Sequence, residues 1–258
     1  MNLAKHSRAF GRAAILYSRY RFPYHSFLGR KLFRIIGSRK QDILDLGCGT
    51  GISTELLLKR SDHFIIGCDH DERMIREARR QARNKGLNIR YVVSPATDLP
   101  FRDGSFDVVT VGSAFHWFAT SKTLSEVMRV LRPGGLVLIY WVLDSPVSPS
   151  SVLVPPSVFK STGWEKMPWK YRDHAFVRKL LKRSGFSSVN WSVGRYRRCV
   201  TVRDYVRHLK TASSFLLLRH SARRSFDKSL RRHFYLQYSK RLCMKEELQV
   251  VVGKKAHA

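Results

Sequence analysis

A glycine-rich run limits what this chain can fold into more than any other part of its 258 residues. Ile43, Leu44 and Leu46 form a short apolar stretch that is typical of a buried strand, and the loop Gly47-Cys48-Gly49-Thr50-Gly51 follows at once. Glycine allows the backbone to turn sharply and to approach a ligand closely. The run therefore predicts a strand that ends in a ligand-binding loop.

The residues around the glycines indicate which ligand the loop would bind. A dinucleotide fingerprint requires glycine at the position of Ile52. Asp45 would repel a pyrophosphate, whereas it would attract the ammonium group of a methionine moiety. Asp69 follows Gly47 by 22 residues, a spacing at which an acidic side chain accepts both ribose hydroxyls. Asp45 and Asp69 thus predict a site for an adenosyl amino acid, and two ordinary strand-end aspartates are the alternative.

The chain from Gln41 onward alternates short apolar runs with amphipathic stretches, which is typical of a parallel sheet with crossover helices. The pattern predicts strands over 41–46, 63–69, 89–93, 106–112 and 135–143, and helices over 52–60, 71–85 and 120–131. Beyond them we expect a proline-rich linker over 145–156, a helix over 174–184 and a strand over 186–193. A further helix is predicted to begin with a capping box at Thr201. A basic helix over 222–242 and a strand over 248–252 are predicted to follow it.

Three stretches resemble motifs of the class I S-adenosylmethionine-dependent methyltransferases (methyltransferase type 11 domain): Asp42 to Gly51, Leu99 to Val109 and Val130 to Gly135. The likeness covers most of residues 10–143. It implies an α/β fold with a Rossmann-like, mostly parallel sheet of seven strands, the last one antiparallel, with helices on both faces and a helical cap. It also implies S-adenosyl-L-methionine as the cofactor and the contacts inferred above.

The cofactor site predicted on this basis consists of Asp45, Gly47, Cys48, Gly49, Asp69, His70, Ala96, Thr97 and Ser113. At one position the chain departs from the family pattern. Relatives commonly have Gly-Asp-Ala before Leu-Pro-Phe, and their Asp accepts the adenine amino group, whereas this chain has Ser94-Pro95-Ala96. We expect the Ala96 backbone or the Thr97 hydroxyl to replace that contact.

The acceptor side is predicted from Phe115-His116-Trp117-Phe118, which directly follows the fourth strand, at the edge where open α/β sheets bind ligands. His116 is a candidate general base for a hydroxyl acceptor, because the ordinary histidine pKa of about 6.5 suits that role at neutral pH. The alternative is that His116 and Trp117 pack against the cofactor and shape the pocket. A carboxylate acceptor would need no base, since it is ionised at neutral pH.

Together with the segment 14–21, this stretch resembles the branch that contains trans-aconitate and farnesoic acid methyltransferases. In that branch the front segment folds over the cofactor as a lid. The resemblance therefore implies substrate-side roles for Tyr17, Tyr20, Arg21 and Trp117.

The net charge of +29 lies entirely in the flanks of the chain. Residues 1–41 contribute +10, residues 42–144 balance 13 basic with 13 acidic side chains, and residues 145–258 contribute +19. Such an excess attracts acidic partners, although a solvated basic surface is the alternative. Cations alternate with aromatic rings in 195–198 and 231–235, which also fits nucleic acid. No Asn-Pro-Pro-Tyr-like signature follows the fourth strand, however, and this disfavours methylation of base amino groups.

We therefore expect a methyltransferase that acts on oxygen of a small, acidic metabolite. An RNA methyltransferase is the second hypothesis, and a cofactor-binding regulatory protein without turnover is the third. The predicted parts are a lid segment (1–40), a cofactor-binding core (41–143) and a basic cap that includes the last strands (144–258).

The compartment predicted from the sequence is the cytoplasm. The four cysteines form no CxxC pair, which predicts a reducing environment and no structural zinc. The mitochondrion is the alternative, because the first 41 residues are basic and free of acids. This segment is rich in Tyr and Phe rather than Ser, which favours a retained functional segment. No apolar run approaches the roughly 20 residues that span a bilayer.

Overall fold

The computed structural model describes residues 9–24, 26–58, 63–145, 173–216, 218, 220–237 and 241–257. The predicted linker over 145–156 therefore lies outside the described residues except for Ser145. None of the described helices is long and apolar enough to cross a membrane.

The chain divides into two compact units. The first, which we call the sheet unit, consists of Pro23–Val142, Pro168–Gly194 and Leu248–Ala258. The second, the ribbon unit, consists of Met1–Phe22, Leu143–Met167 and Arg195–Glu247. Both units cut across the three parts predicted from the sequence, and the lid and cap roles of those parts stay predictions.

The predicted seven-stranded sheet is confirmed. Its strands are β1 (Asp42–Leu46), β2 (Phe64–Asp69), β3 (Arg90–Val93), β4 (Phe106–Gly112), β5 (Leu131–Ser145), β6 (Ser187–Thr201) and β7 (Arg241–Lys254). Their order across the sheet is β3-β2-β1-β4-β5-β7-β6, and β7 alone is antiparallel. β1 pairs in parallel with β2 on one side and β4 on the other. This order places the ends of β1, β2 and β4, which carry the predicted site, next to one another.

The described residues of the sheet unit form five α-helices: α2 (Ser26–Ile36), α3 (Ile52–Leu58), α4 (Glu72–Asn84), α5 (Ser121–Val130) and α6 (His174–Arg183). Short polar side chains begin several of them by accepting backbone N–H groups that have no partner within the helix. Asp71 accepts from Arg73 and Met74 at the start of α4, and Thr120 accepts from Thr123 at the start of α5. The strands between these helices are buried on both faces, which explains their continuous apolar runs.

The ribbon unit contains α1 (Ala14–Tyr20), α7 (Val202–Leu209), α8 (Ser213–Leu216) and α9 (His220–Gln237), together with the second half of β6 and the first half of β7. The predicted cap at Thr201 is confirmed, since its hydroxyl accepts the Asp204 N–H at 3.0 Å. One apolar cluster holds the unit together: Val202, Tyr205, Val206, Leu209, Phe226, Leu230, Phe234, Leu242 and Met244.

The predicted ends of the last elements are wrong. β6 extends to Thr201 rather than stopping at 193, and β7 begins at Arg241 rather than at 248. The basic helix predicted over 222–242 ends at Gln237. The reason is visible in β7, where buried Leu242 and Met244 alternate with exposed neighbours. This period of two belongs to a strand with one covered face.

Two of the four cysteines are paired, contrary to the premise of the predicted reducing environment. Cys199 on β6 forms a disulfide with Cys243 on β7, 44 residues further along the chain, while Cys48 and Cys68 are free and buried. The spacing of the cysteines could not show this pairing, because it depends on how two distant strands align.

Candidate cofactor and acceptor site

Asp45 lies near the end of β1, and its side chain organises the loop that follows. The carboxylate is fully buried and accepts three hydroxyl hydrogen bonds, from Ser53 at 2.6 Å, Thr54 at 2.7 Å and Thr110 at 3.0 Å. Burial raises the pKa of Asp45, and the three hydrogen bonds act in the opposite direction. The carboxylate thereby connects β1 to the start of α3 and to β4. Its predicted contact with a methionine ammonium group stays a prediction.

The loop after β1 adopts the backbone that its glycines predicted. Gly47, Gly49 and Gly51 have φ values of +72°, +55° and +86°, a region that other residues rarely adopt. The Gly47 and Cys48 N–H groups both donate to the Cys68 carbonyl of β2, at 2.8 and 3.1 Å. The loop therefore folds back over the end of β2, where Asp69 lies.

Asp69 holds this loop from the end of β2. One carboxylate oxygen accepts the Gly49 N–H at 3.0 Å, and the other accepts the Asp71 N–H at 3.0 Å. His70 Nδ1 lies 3.2 Å from the second oxygen, and this hydrogen bond raises the pKa of His70. A carboxylate can accept about four hydrogen bonds, and the Asp69 side chain is 12% exposed. Acceptor capacity therefore remains for a ligand hydroxyl at the surface of the loop.

The other predicted adenosine contacts lie on a turn that follows β3. The Ser94 N–H donates to the Asp69 carbonyl at 3.0 Å, and the Ser94 hydroxyl donates to the Asp98 carbonyl at 2.6 Å. Ala96 is buried and Thr97 is half-buried within this turn. The turn thus begins beside Asp69, so Ala96 and Thr97 belong to the same edge of the sheet as the loop.

The stretch around Leu99 and Phe101 is fixed to α5 by one charged pair. The Arg129 guanidinium donates to the Leu99 and Phe101 carbonyls, at 3.0 and 2.7 Å. Glu126 accepts the Leu99 N–H at 2.7 Å and pairs with Arg129, which lowers the pKa of Glu126 to about 2. These contacts hold the chain between the β3 turn and β4 in place.

The segment after β4 packs against the glycine loop. Ser113 has a φ of +53°, and such strain in a residue other than glycine is common at functional sites. It leads into the short 3₁₀ helix Phe115–Trp117. A Cβ atom added to Gly47 would lie 2.7 Å from the Ala114 Cβ and 2.9 Å from the Phe118 ring. The glycine at position 47 is therefore required for this close approach.

His116 and Trp117 are half-buried on that short helix, and their ring centroids are 4.6 Å apart. The segment that carries them approaches the loop closely at Gly47, and its role on the acceptor side stays a prediction. Whether His116 transfers a proton or packs against a ligand stays open at this point.

The residues predicted for the lid belong to the ribbon unit. Arg207 lies over the Tyr20 ring at 5.0 Å, and Arg21 lies over the Tyr17 ring at 5.5 Å. These cation–π contacts hold the side chains within their own unit. Their place beside the cofactor stays a prediction.

Sequence reasoning missed the hydroxyl groups that hold Asp45, and it missed Tyr140. Thr110 gave no signal, since it is one residue in an apolar strand. Tyr140 is fully buried near the end of β5, and a Cβ atom added to Gly112 would lie 2.7 Å from its hydroxyl oxygen. Its ring meets the Tyr24 ring edge-on at 5.8 Å.

The loop and Asp69 fit S-adenosyl-L-methionine. A Cβ atom added to Gly49 would have only the end of Met74 as a close neighbour, at 3.3 Å, so protein atoms leave space on that side of the loop. The accessible Asp69 carboxylate borders this space through its hydrogen bond with the Gly49 N–H. A ribose diol matches a carboxylate acceptor.

Removing the Asp69 carboxylate tests this assignment. We expect Asp69→Ala to weaken cofactor affinity by roughly ten- to a hundredfold, because hydrogen bonds to a charged group are worth about 1.5–3 kcal/mol. Calorimetric titration measures the loss. The matched control is Asp71→Ala, which removes the cap of α4 and costs about 1 kcal/mol of stability but should bind normally. Wild-type affinity in a folded Asp69→Ala variant would contradict the assignment.

Comparison with known proteins agrees with this geometry. Residues 44–139 match a family model described as a methyltransferase domain. The demethylmenaquinone methyltransferase of Thermus thermophilus is 41% identical over 109 residues, which cover 42% of this chain and 48% of that protein. The O-methyltransferase cnsE of Penicillium expansum is 35% identical over 135 residues, 49% of each chain. The chain thus spans about half the length of these relatives.

A solved structure shows the same fold. Phosphoethanolamine N-methyltransferase 2 of Haemonchus contortus, in complex with S-adenosyl-L-methionine, aligns with a TM-score of 0.60 at 18% identity. The alignment covers 96% of this chain and 57% of that one. Residues 44–139 are thus similar to the domain of class I S-adenosylmethionine-dependent methyltransferases, and the cofactor is S-adenosyl-L-methionine.

Proposed function

We propose that the chain transfers a methyl group from S-adenosyl-L-methionine to an oxygen atom of a small, anionic acceptor. The proposed binding of the cofactor rests on the hydrogen bond from the Gly49 N–H to Asp69 at 3.0 Å. It fixes a carboxylate for the ribose at the rim of an open glycine loop. When bound, the cofactor supplies an electrophilic methyl group on its sulfonium.

The proposed binding of the acceptor rests on the segment after β4. Its residues Ala114 and Phe118 lie close to Gly47, which supports a position of His116 and Trp117 near the loop. For a hydroxyl acceptor, His116 would take the proton from the acceptor oxygen as a general base. For a carboxylate acceptor, the segment aligns the oxygen and excludes water. The looser likeness of residues 14–21 and 115–118 to the trans-aconitate and farnesoic acid branch supports an oxygen nucleophile.

Two relatives widen the choice of acceptor atom. One is a demethylmenaquinone methyltransferase and the other an O-methyltransferase. The deciding experiment is incubation of the full chain with methyl-labelled cofactor and a fractionated cell extract. Label on oxygen in a small-molecule fraction would support the proposal: mild base releases it if the acceptor is a carboxylate, which gives an ester, and leaves it in place if the acceptor is a hydroxyl, which gives an ether. Label in RNA or on carbon would overturn the acceptor assignment, and cofactor binding without any transfer would overturn the activity.

The basic flanks give a second test of the acceptor. Raising salt from about 50 to about 500 mM shortens the Debye length roughly threefold. We expect the apparent KM for an anionic acceptor to rise several-fold, while cofactor affinity changes little. Steady-state kinetics at each salt concentration measures both. An unchanged KM would remove the argument from charge, and a log-linear loss of affinity with a slope near 0.7–0.9 per phosphate contact would indicate nucleic acid instead.

A further inference from the structure

The Cys199–Cys243 disulfide lies on the outer face of a two-stranded ribbon, formed by residues 195–201 of β6 and 241–247 of β7. The two Cα atoms are 4.0 Å apart, and both cysteines are exposed. Their neighbours Leu242 and Met244 point the other way, into the apolar cluster of the ribbon unit. The sulfur atoms are therefore accessible to a reagent without any opening of that cluster.

The register of the ribbon surrounds the disulfide with cations. Arg195 pairs with Glu247 at 3.1 Å. Arg195 lies four residues before Cys199 and Glu247 lies four residues after Cys243, as an antiparallel register requires. The same register places Arg197 directly opposite Lys245, and both are exposed. Like charges in opposed positions destabilise a ribbon. The presence of Arg197 and Lys245 in opposed positions therefore indicates that they attract an anion rather than stabilise the fold.

A fourth cation borders the disulfide on its other side. Arg241 is exposed and lies opposite Thr201. The outer face of the ribbon thus carries Arg195, Arg197, Arg241 and Lys245 against the single acid Glu247. Cations near a disulfide raise the local concentration of an anionic thiol, and they stabilise the thiolate that leaves when the bond is broken.

We propose that the Cys199–Cys243 pair is an exchange site for small anionic thiols, which reduce and re-form it while the chain stays folded. This goes beyond methyl transfer and involves neither the glycine loop nor His116. A thiolate attacks one cysteine sulfur, the disulfide bond breaks, and the other cysteine leaves as a thiolate. A second thiolate then attacks the mixed disulfide. Two small thiols are oxidised to their disulfide, and the protein disulfide gains two electrons and two protons.

The remaining cysteines do not compete for the reagent. Burial raises the pKa of the Cys68 thiol to about 12 and that of the Cys48 thiol well above its ordinary value. Because the thiolate is the reactive form, both stay inert at neutral pH. Exchange is therefore confined to the exposed pair.

The test compares two reducing agents on the air-purified full chain in native buffer: glutathione, whose attacking thiolate form is anionic, and cysteamine, whose attacking thiolate form also carries an ammonium group and has no net charge. Alkylation followed by mass spectrometry measures the rate at which Cys199 and Cys243 become free. We expect reduction by glutathione to slow at least threefold between about 20 and about 500 mM salt, and reduction by cysteamine to change little. Cys48 and Cys68 should stay unmodified throughout.

A matched pair of variants locates the effect. Arg197→Gln with Lys245→Gln should lower the glutathione rate roughly threefold or more and leave the cysteamine rate unchanged. Arg203→Gln with Arg232→Gln removes the same charge from exposed helix positions of this unit and should alter neither rate. Thermal unfolding checks that the variants are folded, and the salt comparison on the wild-type chain is decisive without them. Free Cys199 and Cys243 in the purified chain, reduction only in denaturant, or equal salt responses for both reagents would overturn the proposal.

Discussion

Gly49→Val should abolish measurable cofactor binding, a loss of at least about a hundredfold, in a chain that still folds. The φ of Gly49 is +55°, and a β-branched residue there costs roughly 1–3 kcal/mol of stability. The larger effect concerns the ligand. A Cβ atom at this position meets no protein atom closer than the end of Met74, so the valine methyl groups enter the space that we assign to the cofactor. Calorimetric titration with S-adenosyl-L-methionine measures the loss.

The matched control is Gly86→Val. Gly86 has a φ of +62° at the end of α4, and a Cβ atom added there would have no neighbour within 4 Å. The two variants therefore share the residue change and the backbone strain, but only one lies in the loop. Gly47 would be a poor choice, because its Cβ would collide with Ala114 and binding loss would report on packing. Normal binding by Gly49→Val, or equal loss in both variants, would contradict the assigned cofactor position.

The fold could be predicted where the apolar residues of an element follow a pattern that is typical of a strand or of a helix. Buried strands β1 and β4 read as apolar runs, and the amphipathic α4 begins at a recognisable Asp71 cap. The ribbon was harder to predict because its sequence combines a strand pattern with a helix pattern. Buried Leu242 and Met244 indicate a strand, but they directly follow a long basic stretch of helical character. The helix prediction was therefore extended into residues that pair with β6.

The candidate site was predicted mainly from local spacing. Asp45, Gly47, Gly49 and Asp69 lie in or next to turns whose chemistry can be inferred over a few residues. The hydrogen bond from Thr110 to Asp45 joins residues 65 positions apart, and the disulfide joins residues 44 apart. Such contacts depend on strand order and register, which local patterns do not encode. A role inferred for Asp45 from its charge alone therefore could not include its three hydroxyl partners.

Because of those hydroxyl partners, removal of the Asp45 side chain should destabilise the sheet unit strongly. Asp45→Ala leaves the Ser53, Thr54 and Thr110 hydroxyls buried without their acceptor, and each such group costs about 1–3 kcal/mol. We expect a loss of roughly 3 kcal/mol or more in the free energy of unfolding, measured by urea denaturation at neutral pH. Asp103→Ala is the control, since that carboxylate is 81% exposed and surface pairs contribute about 1 kcal/mol or less.

Asp45→Asn separates hydrogen bonding from charge at the same position. Its amide oxygen can accept from Ser53 and Thr54, and its amide nitrogen can donate to the Thr110 hydroxyl, so all three contacts persist and stability should stay within about 1 kcal/mol of wild type. The variant should also change the pH dependence. Because burial raises the pKa of Asp45, the native chain holds this proton at pH values where the unfolded chain has released it. Wild-type stability should therefore fall, through this group, as pH rises above the ordinary aspartate pKa of about 3.9. The free energy of unfolding of Asp45→Asn should not show that decline with pH. If Asp45→Asn is as unstable as Asp45→Ala, the charge of the carboxylate, rather than its hydrogen bonds, holds the hydroxyls in place.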